Sequence, residues 1–198
     1  IDESADNVAK SMYRTSRIYQ GVVEGLSNQD ASALKKMRKR VKKFEDEVET
    51  LRNHLFYFIK NLNDTSVRGS NFYIMVLANM TDMVQSLDFI ARKSFKHIDN
   101  NHKPLSKGQI KDLREIEASL SKLLVDVETA FKSQSFSDLS ACLERETEMI
   151  ALISDKIDVQ IARTRKEEVS PKNTTLYFNV LLESKDCLLY TSPSPRDV

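Results

Sequence analysis

Tryptophan is missing from this 198-residue sequence, and glycine, proline and cysteine are scarce, with four, four and two copies. So few turn-forming residues cannot serve the many tight connections of a β-sandwich or barrel, and so little Pro and Gly argues equally against a disordered chain. Cys142 and Cys187 lie far apart with no CxxC spacing, which excludes a disulfide framework and a cysteine zinc site and predicts free thiols in the cytosol. The three histidines, His54, His97 and His102, have neither metal spacing nor a nucleophile partner, and all are expected on the surface or in a linker. No glycine-rich loop is available to cradle phosphates.

The longest apolar run, Phe72 to Ala78, spans seven residues, against roughly 20 needed to cross a bilayer, so no membrane span is expected. A net charge of +1 supplies no global field toward nucleic acid, and no nucleic-acid partner is expected. The sequence opens at Ile1 in a charged helical pattern without a signal peptide, as if cut from a longer chain.

What is present is helical periodicity. Val8, Met12, Thr15, Tyr19, Val22 and Leu26, preceded by Ala5, mark a first helix. Asp30 closes a Ser27–Asp30 break and is placed to cap a second helix, whose interior positions run from Leu34 through Met37, Val41, Phe44, Val48, Leu51, Leu55 and Phe58 to Leu62. A third, from Asn71 to about Ile98, carries apolar residues on more than one face and must be packed on several sides, although Asn79 and Asp82 sit in its middle turns.

After a polar linker at 99–105, a Ser106–Gln109 capping box opens a fourth helix with Ile110, Leu113, Ile116, Leu120, Leu124, Val127 and Phe131 inward. The fifth has Leu139, Leu143, Glu146, Ile150, Ile153, Ile157 and Ile161 inward and frays from Arg163 to Glu168. Ser170-Pro171 starts the sixth.

Tyr177, Val180, Leu181 and Asp186 repeat Tyr73, Val76, Leu77 and Asp82 at an offset of 104. A duplicated unit follows: an all-α chain of two tandem three-helix bundles, 1–98 and 106–186, joined by the linker. Residues 187–198 leave the pattern and resemble translated sequencing-adapter sequence. They are expected to be a non-native tail, which would make the sixth helix truncated.

Chemistry is concentrated in carboxylates. Glu183 and Asp186 stand one turn apart, as do Glu3 and Asp6, and Asn79 with Asp82 is a weaker version. Residues at i and i+3 share a helix face, so Asp82, Glu183 and Asp186 are candidate ligands for a divalent or iron-type metal ion, the alternative being a solvated face. Glu146, at an interior position, is a fourth candidate, and Glu45, Asp46, Glu47, Glu49, Glu144 and Glu148 could contribute. Lys35 to Lys43 holds seven basic residues in nine, and Lys39, Arg40 and Lys43 are candidate contacts for a membrane surface or a protein partner.

The paired Tyr-x-x-Val-Leu-x-x-x-x-Asp helices and the run Leu181-Leu182-Glu183-Ser184-Lys185-Asp186 resemble a PhoU-like domain, the regulatory module of bacterial phosphate uptake. The similarity is greatest to the cytosolic C-terminal portion of bacterial sodium/phosphate cotransporters and covers Ile1 to about Asp186. It implies two three-helix bundles side by side, a role in phosphate transport and homeostasis, acidic helix motifs that hold metal clusters, and a place at the cytoplasmic face of the inner membrane. The partner it implies is a transmembrane transporter portion of the same chain, with a homo-oligomer as a further arrangement. This sequence departs from the family's Glu/Asp-x-x-x-Asp by one residue at Glu183 and Asp186, and Asn79 replaces an acid.

The resulting expectation is a non-enzymatic regulatory or accessory domain of a sodium-dependent phosphate transporter. A free-standing PhoU-type regulator is the alternative. A helical carboxylate metalloenzyme is a third reading, but that class commonly supplies Glu-x-x-His pairs, which are lacking here.

Overall fold

A computed structural model of the chain describes residues 3–61, 67–133, 136–166 and 169–189. The described residues are all-helical: α1 Glu3–Ser27, α2 Ala31–Asn53, the short α3 Leu55–Lys60, α4 Val67–Asp99, α5 Lys107–Ser133, α6 Phe136–Lys166 and α7 Pro171–Leu189. The expected caps form. The Asp30 carboxylate accepts from the Ala33 amide at 2.9 Å, and Gln29 and Asn101 take positive φ at the turns after α1 and α4. Ser106 and Gln109 make the reciprocal capping box at 3.0 and 3.1 Å, and Ser170 accepts from the Asn173 amide at 3.4 Å just ahead of Pro171.

The helices repeat in register. The buried residues of α2, namely Leu34, Met37, Val41, Phe44 and Val48, have buried counterparts 105 residues later in Leu139, Cys142, Glu146, Met149 and Ile153. Val76, Leu77, Met80 and Met83 of α4 likewise match buried Val180, Leu181, Ser184 and Cys187 at 104. Cys187 therefore holds the repeat's register, and α7 continues to Leu189 rather than ending near Asp186. Residues 190–198 of the expected tail lie outside the described residues.

Equivalent helices pack on one another. The broadest contact is α1 against α5, α4 lies on α7, and each is flanked by α2 or α6. One apolar cluster runs through all of them, so the two units share a core across the 99–105 linker. Polar pins cross the same seam: Ser16 and Ser121 hydroxyls lie 2.9 Å apart, and buried Tyr19 donates at 2.7 Å to Ser184, whose own proton goes to the Val180 carbonyl at 2.5 Å. As its wide apolar stripe requires, α4 touches α1, α2 and α7. Its stretch Ile74–Asp99 is long and apolar enough to cross a membrane by length and composition, but half of it is buried in the bundle, as befits a core helix.

Four sequence expectations change. The second helix does not run to Leu62: it closes at His54, whose amide bonds back to Leu51 at 3.0 Å, and α3 follows with Phe56, Tyr57 and Ile59 exposed, because none of the described helices covers that side. The side chains of Ala5, Leu55, Phe58 and Tyr73, and residue 62, lie outside the described residues. The inward face of α6 is rotated toward Cys142 and Met149, leaving Leu143, Ile150 and Ile157 half-buried and Ile161 exposed, because α6 must serve both α5 and α7. It also stays helical to Lys166, with Arg163 reaching back to Asp112 on α5. His97 is buried rather than exposed: its Nε2 meets the Lys103 carbonyl at 2.9 Å and ties the end of α4 to the linker, and burial lowers its pKa.

The α1–α2 seam is close enough to require small residues. A Cβ added at Gly25 would come within 2.7 Å of the fully buried Leu34 side chain. We expect Gly25→Ala to cost about 1–2 kcal/mol through overpacking, in spite of alanine's better helix propensity. Thermal denaturation checks this, and a stabilised variant would contradict it.

Candidate functional site

The two copies of the Tyr-x-x-Val-Leu-x-x-x-x-Asp segment meet. Each begins with residues that must face the core, Val76 and Leu77 on α4 and Val180 and Leu181 on α7, all at 2% exposure or less. Fixing that face fixes the position of the aspartate at the segment's end, five residues beyond the leucine. Because α4 and α7 lie against one another, Asp82 and Asp186 line the same open cleft of about 360 Å³. Glu183 joins them one turn before Asp186, Asp88 and Arg92 enter from the next turns of α4, and Glu45 reaches in from α2.

This cleft holds five carboxylates and one guanidinium. Its only ion pair among the described residues is Arg92 with Asp88, at 3.8 Å and one helical turn apart on α4, with both side chains more than a third exposed. Such an exposed pair contributes roughly 0.3–0.5 kcal/mol, so the net field of the cleft stays negative. Its chemistry is that of a concave acidic surface: it attracts cations and basic side chains without a covalent step.

Metal binding is a stricter requirement. Among the described residues no three His, Cys, Asp or Glu side chains stand close enough together to hold a metal ion. Asp82, Glu183 and Asp186 share the cleft but are spread around an open rim, where a metal needs oxygens converging within about 2.0–2.6 Å of one point. Asn79 in place of an acid leaves α4 with Asp82 alone at the motif position, one ligand fewer than the pair on α7. The residues do not fit the metal clusters implied by the sequence resemblance. The side chain of Glu3 lies outside the described residues, and with it the Glu3 and Asp6 pair.

Glu146 is not part of the cleft. It stands in the second unit at the place Val41 holds in the first, buried on α6 at 8% exposure. No hydrogen bond or ion pair engages it among the described residues, and burial alone pushes its pKa up to about 7. Of the other acids, Glu45 enters the cleft and Glu47 pairs with Arg14. Glu144 and Glu148 face solvent.

The basic run divides. Arg38 folds over the Phe95 ring at 5.2 Å and Lys39 faces solvent, while Arg40 and Lys43 turn toward α1 and line a second cavity there. Both cysteines are free and buried, each thiol pushed by burial up to about 12, so neither is poised as a nucleophile.

Two features escaped the sequence reading. One is a polar network at the start of the second unit: buried Tyr177 donates to Asp112 at 2.8 Å, Lys156 bridges Asp112 at 3.1 Å and Glu115 at 2.8 Å, and Arg163 lies 3.9 Å from Asp112. Burial, then the bond to Asp112, raises the pKa of Tyr177, and the bond to Glu115 followed by Asp112 raises that of Lys156. The available signal was Asp112 itself, an acid one residue before the core position Leu113. The other is the set of α1 residues, Tyr13, Arg14 and Arg17, that face Arg40 and Lys43. The sequence matches no protein-family model, no curated protein and no solved structure.

Proposed function

We propose that this chain is a non-enzymatic regulatory or accessory domain of a sodium-dependent phosphate transporter, acting at the cytoplasmic face of a bacterial inner membrane on a transmembrane portion of the same chain. One observation carries the reading: two repeated three-helix units meet through their equivalent third helices, so that the motif aspartates Asp82 and Asp186 fall in one cleft. The PhoU-like resemblance implies two three-helix bundles side by side, and this pairing of units supports the reading.

The cleft suggests how the domain works. Cytoplasmic loops of membrane proteins carry an excess of Lys and Arg, and a concave surface with five carboxylates is complementary to them. Docking would bias the transporter between two states by the difference in contact energy between those states. No metal is required for this. The PhoU-type regulator that stands free of the membrane is the competing form, and the same cleft would then meet a separate transporter subunit.

The test uses the full-length gene in a host stripped of its own phosphate importers, with sodium-dependent uptake as the readout. Asp82→Asn combined with Asp186→Asn should change the uptake rate roughly fivefold, corresponding to a coupling of about 1 kcal/mol, while Lys39→Gln leaves it unchanged. Uptake that ignores the double substitution would refute the docking role. A full-length gene with no membrane spans and no uptake of its own would refute fusion to a transporter.

A further inference from the structure

Beyond that role, we propose that the cavity between α1 and α2 binds a small organic phosphate with a flat aromatic part, a nucleoside phosphate being the simplest such compound. The cavity measures about 420 Å³, inside the roughly 300–1,000 Å³ range of small-molecule sites. Arg14, Arg17, Arg40 and Lys43, all exposed, stand around it, and the Tyr13 ring supplies most of its apolar surface, with Ile18 and Phe44 in the core beneath.

The charge is largely uncommitted. Arg14 is held by Glu47 and Arg17 reaches Gln20 only at 3.4 Å, while Arg40 and Lys43 have no ion pair among the described residues. Three cations without a carboxylate partner among the described residues repel each other around one concavity. An anion of charge −2 or so relieves that repulsion, and guanidinium forks match phosphate oxygens in pairs.

The aromatic half of the argument rests on Tyr13. Its ring is 58% exposed at the cavity edge, with the Arg17 guanidinium 6.0 Å from its centroid. An exposed ring beside a cation offers a platform on which a flat base can stack while the phosphate meets the arginines. Inorganic phosphate alone would leave that platform unused.

The repeat supplies an internal control. The scaffold does not demand these residues, because the second unit has Ala118 for Arg14, Ser121 for Arg17 and Glu148 for Lys43 at the matching offsets of 104, 104 and 105. Only Arg40 has a basic counterpart, Arg145, and that side chain is neutralised by Asp126. One unit carries basic cavity residues that its twin does not.

Calorimetric titration of the whole chain with ADP, adenosine, inorganic phosphate and phosphatidate-containing vesicles tests the proposal. ADP should bind one to one and at least about tenfold tighter than either adenosine or phosphate. Arg17→Gln with Lys43→Gln should weaken ADP more than tenfold, Tyr13→Ala should weaken ADP about fivefold without changing phosphate, and Lys39→Gln, outside the cavity, should change nothing. Circular dichroism confirms that each variant is folded. No saturable ADP binding at millimolar concentration, or phosphate binding as tightly as ADP, would overturn the proposal. So would vesicles that displace ADP, since they would assign the cavity to a lipid headgroup. None of these outcomes depends on transport, so the cleft and the cavity stand or fall separately.

Discussion

Asp112→Ala is expected to lower the unfolding free energy by about 3 kcal/mol in urea denaturation near pH 7. Its carboxylate on α5 is the common acceptor for donors from two other helices: Tyr177 of α7 donates at 2.8 Å, Lys156 of α6 pairs at 3.1 Å and Arg163 of α6 lies 3.9 Å away. Removing it leaves the Tyr177 hydroxyl, on a side chain with no exposed surface, without its acceptor, which alone costs roughly 1–3 kcal/mol. Two cations then face each other across the gap. Lys156 keeps Glu115 at 2.8 Å, and Arg163 is 38% exposed, so the loss falls at the lower end of what breaking a buried pair costs, roughly 3–5 kcal/mol.

A double-substitution cycle identifies the mechanism. Tyr177→Phe alone removes one hydrogen bond, and in that background Asp112→Ala should cost about 1–2 kcal/mol less than in the unaltered protein. Equal costs in both backgrounds would mean that Asp112 acts through Lys156 and Arg163 alone. A loss below about 1 kcal/mol would remove the network from the account of how the second unit is held together.

Helical content, the caps at Asp30, Ser106 and Ser170 and the core faces of α1, α4 and α5 were legible in the sequence, because each follows from local rules. A cap needs one side chain within three residues, and a core face needs only spacing. The duplication was legible in part: the offset of 104 was visible where α4 and α7 share Tyr, Val, Leu and Asp. It was not visible in α2 and α6, whose buried residues agree in position but, Leu34 and Leu139 apart, not in type, as with Val41 and Glu146. Position in a repeat is preserved by packing geometry, while identity is free to vary with what each neighbour can accommodate.

The sites were less legible because they join helices far apart in the chain. Asp82, Glu183 and Asp186 could be paired through the repeat, but the entry of Asp88, Arg92 and Glu45 depends on how α2 sits against α4. Arg40 and Lys43 read from the sequence as candidate contacts for a membrane surface or a partner. Their role at a cavity depends on Tyr13 and Arg17, more than twenty residues earlier, being turned toward them by the burial of Ile18 and Tyr19. His97 was misjudged for a related reason: its burial follows from Lys103 folding back over the end of α4, which no periodicity encodes.

Glu146 yields the second large effect and gives it a pH signature. In the first unit the equivalent Val41 has no exposed surface, whereas the second unit buries a carboxylate whose pKa rises from its ordinary 4.5 to about 7 by loss of water contact. An acid with a raised folded-state pKa keeps its proton in the native state over a range where the unfolded chain has released it. Folding therefore takes up a proton between pH 4.5 and about 7, and stability falls as pH rises through that window. A rise of that size corresponds to roughly 3 kcal/mol, which the part of the carboxylate still in contact with water reduces to about 2 kcal/mol. Glu146→Gln keeps the size and removes the charge. It should leave stability nearly unchanged at pH 5 and raise it by about 2 kcal/mol at pH 8, with the gain appearing across the same window. His97, whose pKa is lowered, bends the profile in the opposite sense by withdrawing stability at low pH, but it does so equally in both proteins and cancels in the difference. A gain that is the same at pH 5 and pH 8 would show that Glu146 is not desolvated in solution. A loss at pH 8 would mean that the charged carboxylate has found a cationic partner, and its position in the core would then be an ion pair rather than an unmet cost.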